Sequence, residues 1–152
     1  PAPGATPSTG DLALDAWAIV SADGALMPVF VGGVAVVDGY PRVMPSTSGD
    51  KFIEVFTQFG VPSASYTIHP SNWVLVGSDG RDIPRLKDPG APDSQLLPWF
   101  AIAWTQTTQV DPQYAFGFPA YVVAEVPPIG RITLEYRPNG GKAEATWVVR
   151  DR

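Results

Sequence analysis

Apolar and polar residues alternate with a period of two through much of this chain, and Gly, Pro, Asn or Asp interrupts the alternation every few residues. Successive side chains on a β-strand point to opposite faces, so this rhythm predicts strands. Residues 12–20 form the first run, closed by Ser-Ala-Asp-Gly at 21–24. Runs at 26–31 and 34–37 follow, and Gly32-Gly33 between them predicts a bulge or bend. Residues 51–59 are the clearest strand: Ile53, Val55, Thr57 and Phe59 share a face that reads as core. Phe52, Glu54, Phe56 and Gln58 share the other, and its two phenylalanines predict that this face is partly covered as well. Short runs at 66–68, 73–76 and 81–83 come next, the last two joined by the hairpin-type turn Gly77-Ser78-Asp79-Gly80. Beyond the proline-rich loop 85–98, runs at 99–108, 113–118, 121–126, 131–136 and 143–149 complete the set, with Ala145, Trp147 and Val149 expected inward.

About nine short strands with frequent turn signals and no helical run describe an all-β chain, an antiparallel sandwich or barrel. A parallel α/β sheet would need crossover helices, for which there is no room. A chain of 152 residues fits one domain and buries about 70% of its unfolded surface. Residues 1–10, PAPGATPSTG, bury too little apolar area to offset their ordering entropy and read as an arm or tether. The single domain is expected over 11–152.

Charge narrows the function classes. Ten Lys and Arg against fifteen Asp and Glu give a net charge of −5, and the seven arginines are scattered along the chain. Nucleic acid and anionic membrane surfaces both call for clustered positive charge, so neither is an expected partner. No apolar run approaches the length of a transmembrane helix. Cysteine is absent, which removes disulfides, thiolate zinc sites and cysteine nucleophiles together. The arm has two candidate histories. It is the spacer left after an export signal or a lipid-anchored cysteine, which is the preferred reading, or Pro1 follows an excised Met.

Compact catalytic signatures are missing. His69 is the single histidine, near Ser63, Ser65 and Ser71, but no G-x-S-x-G elbow accompanies it, and a turn role is expected. One His and no Cys supply transition metals poorly. Asp79, Asp82, Asp88 and Asp93 lack the dense spacing of a calcium loop. Glu125 and Glu135 lie on alternating strands, where they are expected to face water or an arginine such as Arg131 or Arg137 rather than flank a sugar. GVAVVDG and PNGGK match no phosphate or dinucleotide fingerprint. No catalytic residue, cofactor or metal is expected.

Aromatic residues are the informative set: five Trp, five Tyr and seven Phe. Trp104 and Trp147 are expected in the core. Trp99 and Phe100 follow the proline-rich loop, and Phe116, Phe118 and Tyr121 surround Pro119, which marks a strand edge or break. Exposed aromatics beside a loop suit a protein interface or a sugar platform. Trp99, Phe100, Phe118 and Tyr121 are therefore the candidate protein-contact residues.

Three stretches, GDKFIEVFTQFG at 49–60, SNWVLVGSDGRDI at 71–83 and FGFPAYVVAEVPPIGRITLEYRPNGGKAEATWVV at 116–149, occur in a telling order. Together they resemble the central strand, the Asp-Gly hairpin and the closing hairpin of the MPT63-like and telokin-like immunoglobulin-like domains of bacterial secreted proteins and lipoproteins. The likeness spans roughly residues 30–149; residues 12–29 and the 85–98 loop have no counterpart in it. It implies an immunoglobulin-like sandwich and a binding or structural module. The expected function is then a non-catalytic, extracytoplasmic module, secreted or anchored at the bacterial cell surface, that makes protein–protein contacts. The alternative is a structural subunit of a larger particle, a phage virion or a secretion assembly, joined through the N-terminal arm.

Overall fold

The computed structural model describes residues 8–22, 25–40, 43–60, 65–86, 107–111 and 117–152. Trp99, Phe100, Trp104 and Phe116 lie outside them, as do residues 1–7 of the expected arm and 87–98 of the expected loop. Among the described residues there are eleven strands: β1 (Gly10–Leu12), β2 (Ala16–Ala22), β3 (Ala25–Val37), β4 (Lys51–Phe59), β5 (Tyr66–Ile68), β6 (Trp73–Val76), β7 (Asp82–Ile83), β8 (Thr108–Val110), β9 (Phe118–Val126), β10 (Ile132–Tyr136) and β11 (Ala145–Arg150). No helix among them is long and apolar enough to cross a membrane.

Two sheets pack face to face. One has the order β1-β11-β10-β6-β7, the other β2-β3-β4-β9, and β5 pairs with β8 in a short separate ladder. The chain is an antiparallel β-sandwich; among the described residues only β1, running parallel to β11, departs from antiparallel pairing. The chain passes from β4 in one sheet to β6 in the other, and again from β9 to β10. Such crossing between sheets is common to β-sandwiches, immunoglobulin-like ones among them.

The first expected run forms two strands for a local reason. The run at 12–20 divides at Asp15, which adopts a positive φ of 58°. Up to Leu12 the chain belongs to the five-stranded sheet, and from Ala16 it belongs to the other. Ser8, near the end of the expected arm, donates its N–H to the Ile19 carbonyl at 2.6 Å and accepts from the Ile19 N–H through Oγ at 3.4 Å. Ser8 thereby caps part of the edge of β2, while Gly10–Leu12 covers the edge of β11.

The Gly32-Gly33 bulge forms as expected, but it bends one long strand rather than separating two. Between Gly32 and Ala35 β3 advances three residues while β4 advances two, from Phe56 to Glu54. Gly33 takes a φ of +53°, which suits a residue without Cβ.

The core lies between the sheets. Val29, Val31, Ile53, Val55, Phe59 and Val122 enter it from one side, and Trp73, Leu75, Leu134, Ala145 and Trp147 from the other. Each large apolar side chain buried in this way contributes about 1.5–3 kcal/mol. Trp73 is the hub. Its ring lies 5.3 Å from Phe59, 4.6 Å from Tyr136 and 5.8 Å from Trp147. Two polar ties complement this packing. The Tyr136 hydroxyl donates to the Ser21 carbonyl across the sandwich at 2.6 Å. The Arg85 guanidinium donates to the carbonyls of Pro70 and Trp73, each at 2.7 Å, and burial lowers its pKa to about 10.

Candidate functional site

An antiparallel sheet with one buried face normally turns polar residues to water on the other. The five-stranded sheet follows that rule in part, with Val74, Val76 and Val148 among the polar residues. Its outer face carries Thr133, Glu135 and Thr146, and Arg137 there holds Asp82 through two hydrogen bonds of 2.9 and 3.0 Å and Glu135 through one of 2.9 Å. The four-stranded sheet breaks it. The register puts Trp17 opposite Phe30, Gly32 opposite Phe56 and Phe56 opposite Tyr121, all on the face turned away from the core. Ile19, Pro28, Val123 and Pro119 share that face, and the polar exceptions include Glu54, Gln58 and Glu125.

The aromatic side chains make a continuous row. Ring centroids are 5.7 Å apart for Trp17 and Phe30, 6.3 Å for Phe30 and Phe56, and 5.3 Å for Phe56 and Tyr121. The row crosses all four strands, about 14 Å at the usual strand spacing. Trp17 is 56% exposed, and Phe30, Phe56 and Tyr121 are half-buried. Neighbouring rings are tilted by 54°, 63° and 61°, so faces and edges alternate along the row.

One end of this face is roofed by the chain itself. Tyr40 stacks on Phe52 at 5.1 Å, and Phe52, Tyr40 and Val123 form a second small core with Val37, Val43, Leu86 and Tyr121 against it. Glu125 anchors the same roof. It accepts from the Ser46 N–H at 2.7 Å, the Ser46 hydroxyl at 3.0 Å and the Thr47 N–H at 3.1 Å. Burial opposes its ionisation, but these donors hold its carboxyl below the ordinary range. Its partners are thus loop donors, where the strand pattern predicts water or an arginine.

Glu54 stands where the roof ends and the open row begins. It accepts from the Tyr40 hydroxyl at 2.7 Å. Burial, and secondarily the charge of Glu54, raise the pKa of Tyr121. Ion pairs elsewhere join Lys51 to Asp38, Arg81 to Asp79, Arg131 to Asp151, and Arg137 to Asp82 and Glu135. Glu54 pairs with no Lys or Arg among the described residues.

The four candidate contact residues separate. Trp99 and Phe100 lie outside the described residues. Tyr121 ends the aromatic row, whereas Phe118 is opposite Phe59 and packs against the main core. Trp17, Phe30, Phe56 and Glu54 are the site residues that strand-by-strand reading did not single out. The available signal was an apolar residue at both parities, visible at Phe52 and Phe56 but not followed to the neighbouring strands.

The other candidates take structural parts. His69 Nδ1 lies 3.4 Å from the Thr107 hydroxyl, and no serine among the described residues bonds to it; Ser65 donates to Asp111 instead, at 2.6 Å. Glu125 and Glu135 belong to different sheets. No group of three or more His, Asp or Glu among the described residues is placed to hold a metal ion. A cleft of about 230 Å³ between Trp73, Leu75, Ile83, Arg85 and Val122 falls below the usual size of a small-molecule site.

Neither a family model nor a curated protein matches the chain. A crystal structure of an uncharacterized β-sandwich protein from Clostridium difficile 630 is similar at 11% identity and a TM-score of 0.48, covering 96% of this chain and 99% of that one.

Proposed function

We propose that this chain is a non-catalytic, extracytoplasmic immunoglobulin-like binding module, of the MPT63-like and telokin-like kind, that holds a protein partner on the outer face of the β2-β3-β4-β9 sheet. The observation that carries the reading is the aromatic row from Trp17 to Tyr121 across a largely apolar face. Aromatic side chains lead binding hot spots, because each buries a large area at small entropic cost. The tilt between neighbouring rings favours a protein partner over a polysaccharide. A flat sugar chain stacks best on ring faces that lie nearly in one plane, while alternating faces and edges suit irregular side chains. The extracytoplasmic placement is supported by the resemblance of the three motif stretches to domains of secreted proteins.

Site-specific photocrosslinking in the producing cell tests this. A photoreactive residue at Trp17 is expected to capture a protein, and one at Thr133 on the opposite outer face is not. No adduct at position 17, or equal adducts at both positions, counts against the reading.

A further inference from the structure

The reading of this face as a binding surface leaves open the chemistry of what it binds, and Glu54 addresses that. Its side chain is half-buried and lies on the same face of β4 as Phe56. Tyr121, opposite Phe56, is its diagonal neighbour on β9. A carboxylate offers about four acceptor positions. Among the described residues Glu54 uses one, from the Tyr40 hydroxyl through Oε2. A half-buried carboxylate is costly unless it is paired, and the faces of aromatic rings attract cations as well. Anion and rings thus converge on one place.

We infer that this face takes an apolar protein segment bearing an arginine, whose guanidinium pairs with Glu54 and lies against the rings of Phe56 and Tyr121. The inference rests on the proposed binding role of the face and names its partner's chemistry. Arginine fits better than lysine because its planar fork meets a carboxylate edge-on while its flat face stacks on an aromatic ring. Charge also argues against a second copy of this chain as occupant. The charged side chains on or beside this face among the described residues include Glu54, Glu125, Asp50 and Asp15, and the chain carries a net charge of −5. Self-association through the face would oppose like charges.

The test uses the whole chain and three synthetic octapeptides of alternating Val and Thr that differ only in one central residue, Arg, Leu or Glu. Binding is followed by amide chemical shifts. The Arg peptide is expected to shift residues around Trp17, Phe56 and Tyr121 and to bind at least about fivefold more tightly than the Leu peptide, an advantage that shrinks at high salt. The Glu peptide is expected to bind more weakly than either. Glu54→Gln, which keeps an acceptor for Tyr40, should erase the Arg advantage and leave the Leu peptide unchanged. Equal binding of the Arg and Leu peptides on this face overturns the arginine assignment and leaves the binding role standing. No shift on this face with any peptide overturns both. A dimer in sedimentation that Trp17→Glu dissociates would make a second copy the occupant and also overturn the inference. The peptide comparison on the unaltered protein decides the matter even where a variant fails to fold.

Discussion

Phe118 and Tyr121 stand three residues apart on β9 and face opposite sides of the sheet. Phe118 pairs with Phe59 and packs against the core, while Tyr121 pairs with Phe56 on the outer face. Phe118→Ala should therefore lower unfolding free energy by about 2 kcal/mol, since it removes core packing from a half-buried ring. Peptide binding to the outer face should be unaffected. Tyr121→Ala should weaken binding and also lower stability, by about 1–2 kcal/mol, because its ring packs against the Tyr40, Phe52 and Val123 cluster. Denaturant melts and peptide titrations of the two variants check the contrast.

Trp17 is 56% exposed, whereas Trp73 is 2% and Trp147 0% exposed. Trp17→Phe should remove a fluorescence component that acrylamide quenches readily. Its cost in stability should be within about 0.5 kcal/mol, as for surface substitutions generally. A loss of several kcal/mol would show that the indole belongs to the core.

Gly117 has a φ of +73°, and a Cβ there would lie 2.0 Å from the Phe59 carbonyl oxygen. Neither the backbone conformation nor the neighbouring main chain can yield cheaply. Gly117→Ala is expected to cost about 2 kcal/mol or more. Thermal unfolding of the variant measures it.

Three tyrosines should resist ionisation. Burial raises Tyr66, which donates to the Gly60 carbonyl at 2.8 Å. Burial, then the hydrogen bond to Glu54, raise Tyr40, and burial with the Glu54 charge raises Tyr121. Each folded-state pKa exceeds the unfolded value of about 10. The stability these groups contribute is fully present below that value and is lost as pH rises through the folded ones. Absorbance titration should show delayed phenolate formation that then coincides with alkaline unfolding. Ordinary titration of all five tyrosines near pH 10 in the folded protein would contradict this.

Arg137 ties Asp82 to Glu135 across the outer face of the five-stranded sheet. The Asp82 carboxyl is held below its ordinary range first by the hydrogen bond from Arg137. That stabilisation is present above the unfolded Asp pKa and is lost as pH falls through the folded one. Asp82 is more than half exposed, so Arg137→Ala should cost no more than about 1 kcal/mol at neutral pH and less in acid.

The local pattern of residues determined a good deal on its own. Alternation in 51–59 set Ile53, Val55, Thr57 and Phe59 inward, and the structure buries all four. Gly32-Gly33 marked the bulge, and Trp147 was legible as core. These features depend on neighbours one to four residues away, through strand pleat and glycine's freedom in φ, and such information is written along the chain. What only the tertiary structure decided is which strands lie side by side. Trp17, Phe30, Phe56 and Tyr121 are spread over more than a hundred residues, and of these only Tyr121, beside Pro119, stands out in the sequence. Sheet order and register bring them within ring contact and set Glu54 beside them, because pairing across a sheet joins residues by hydrogen-bond register rather than by sequence distance.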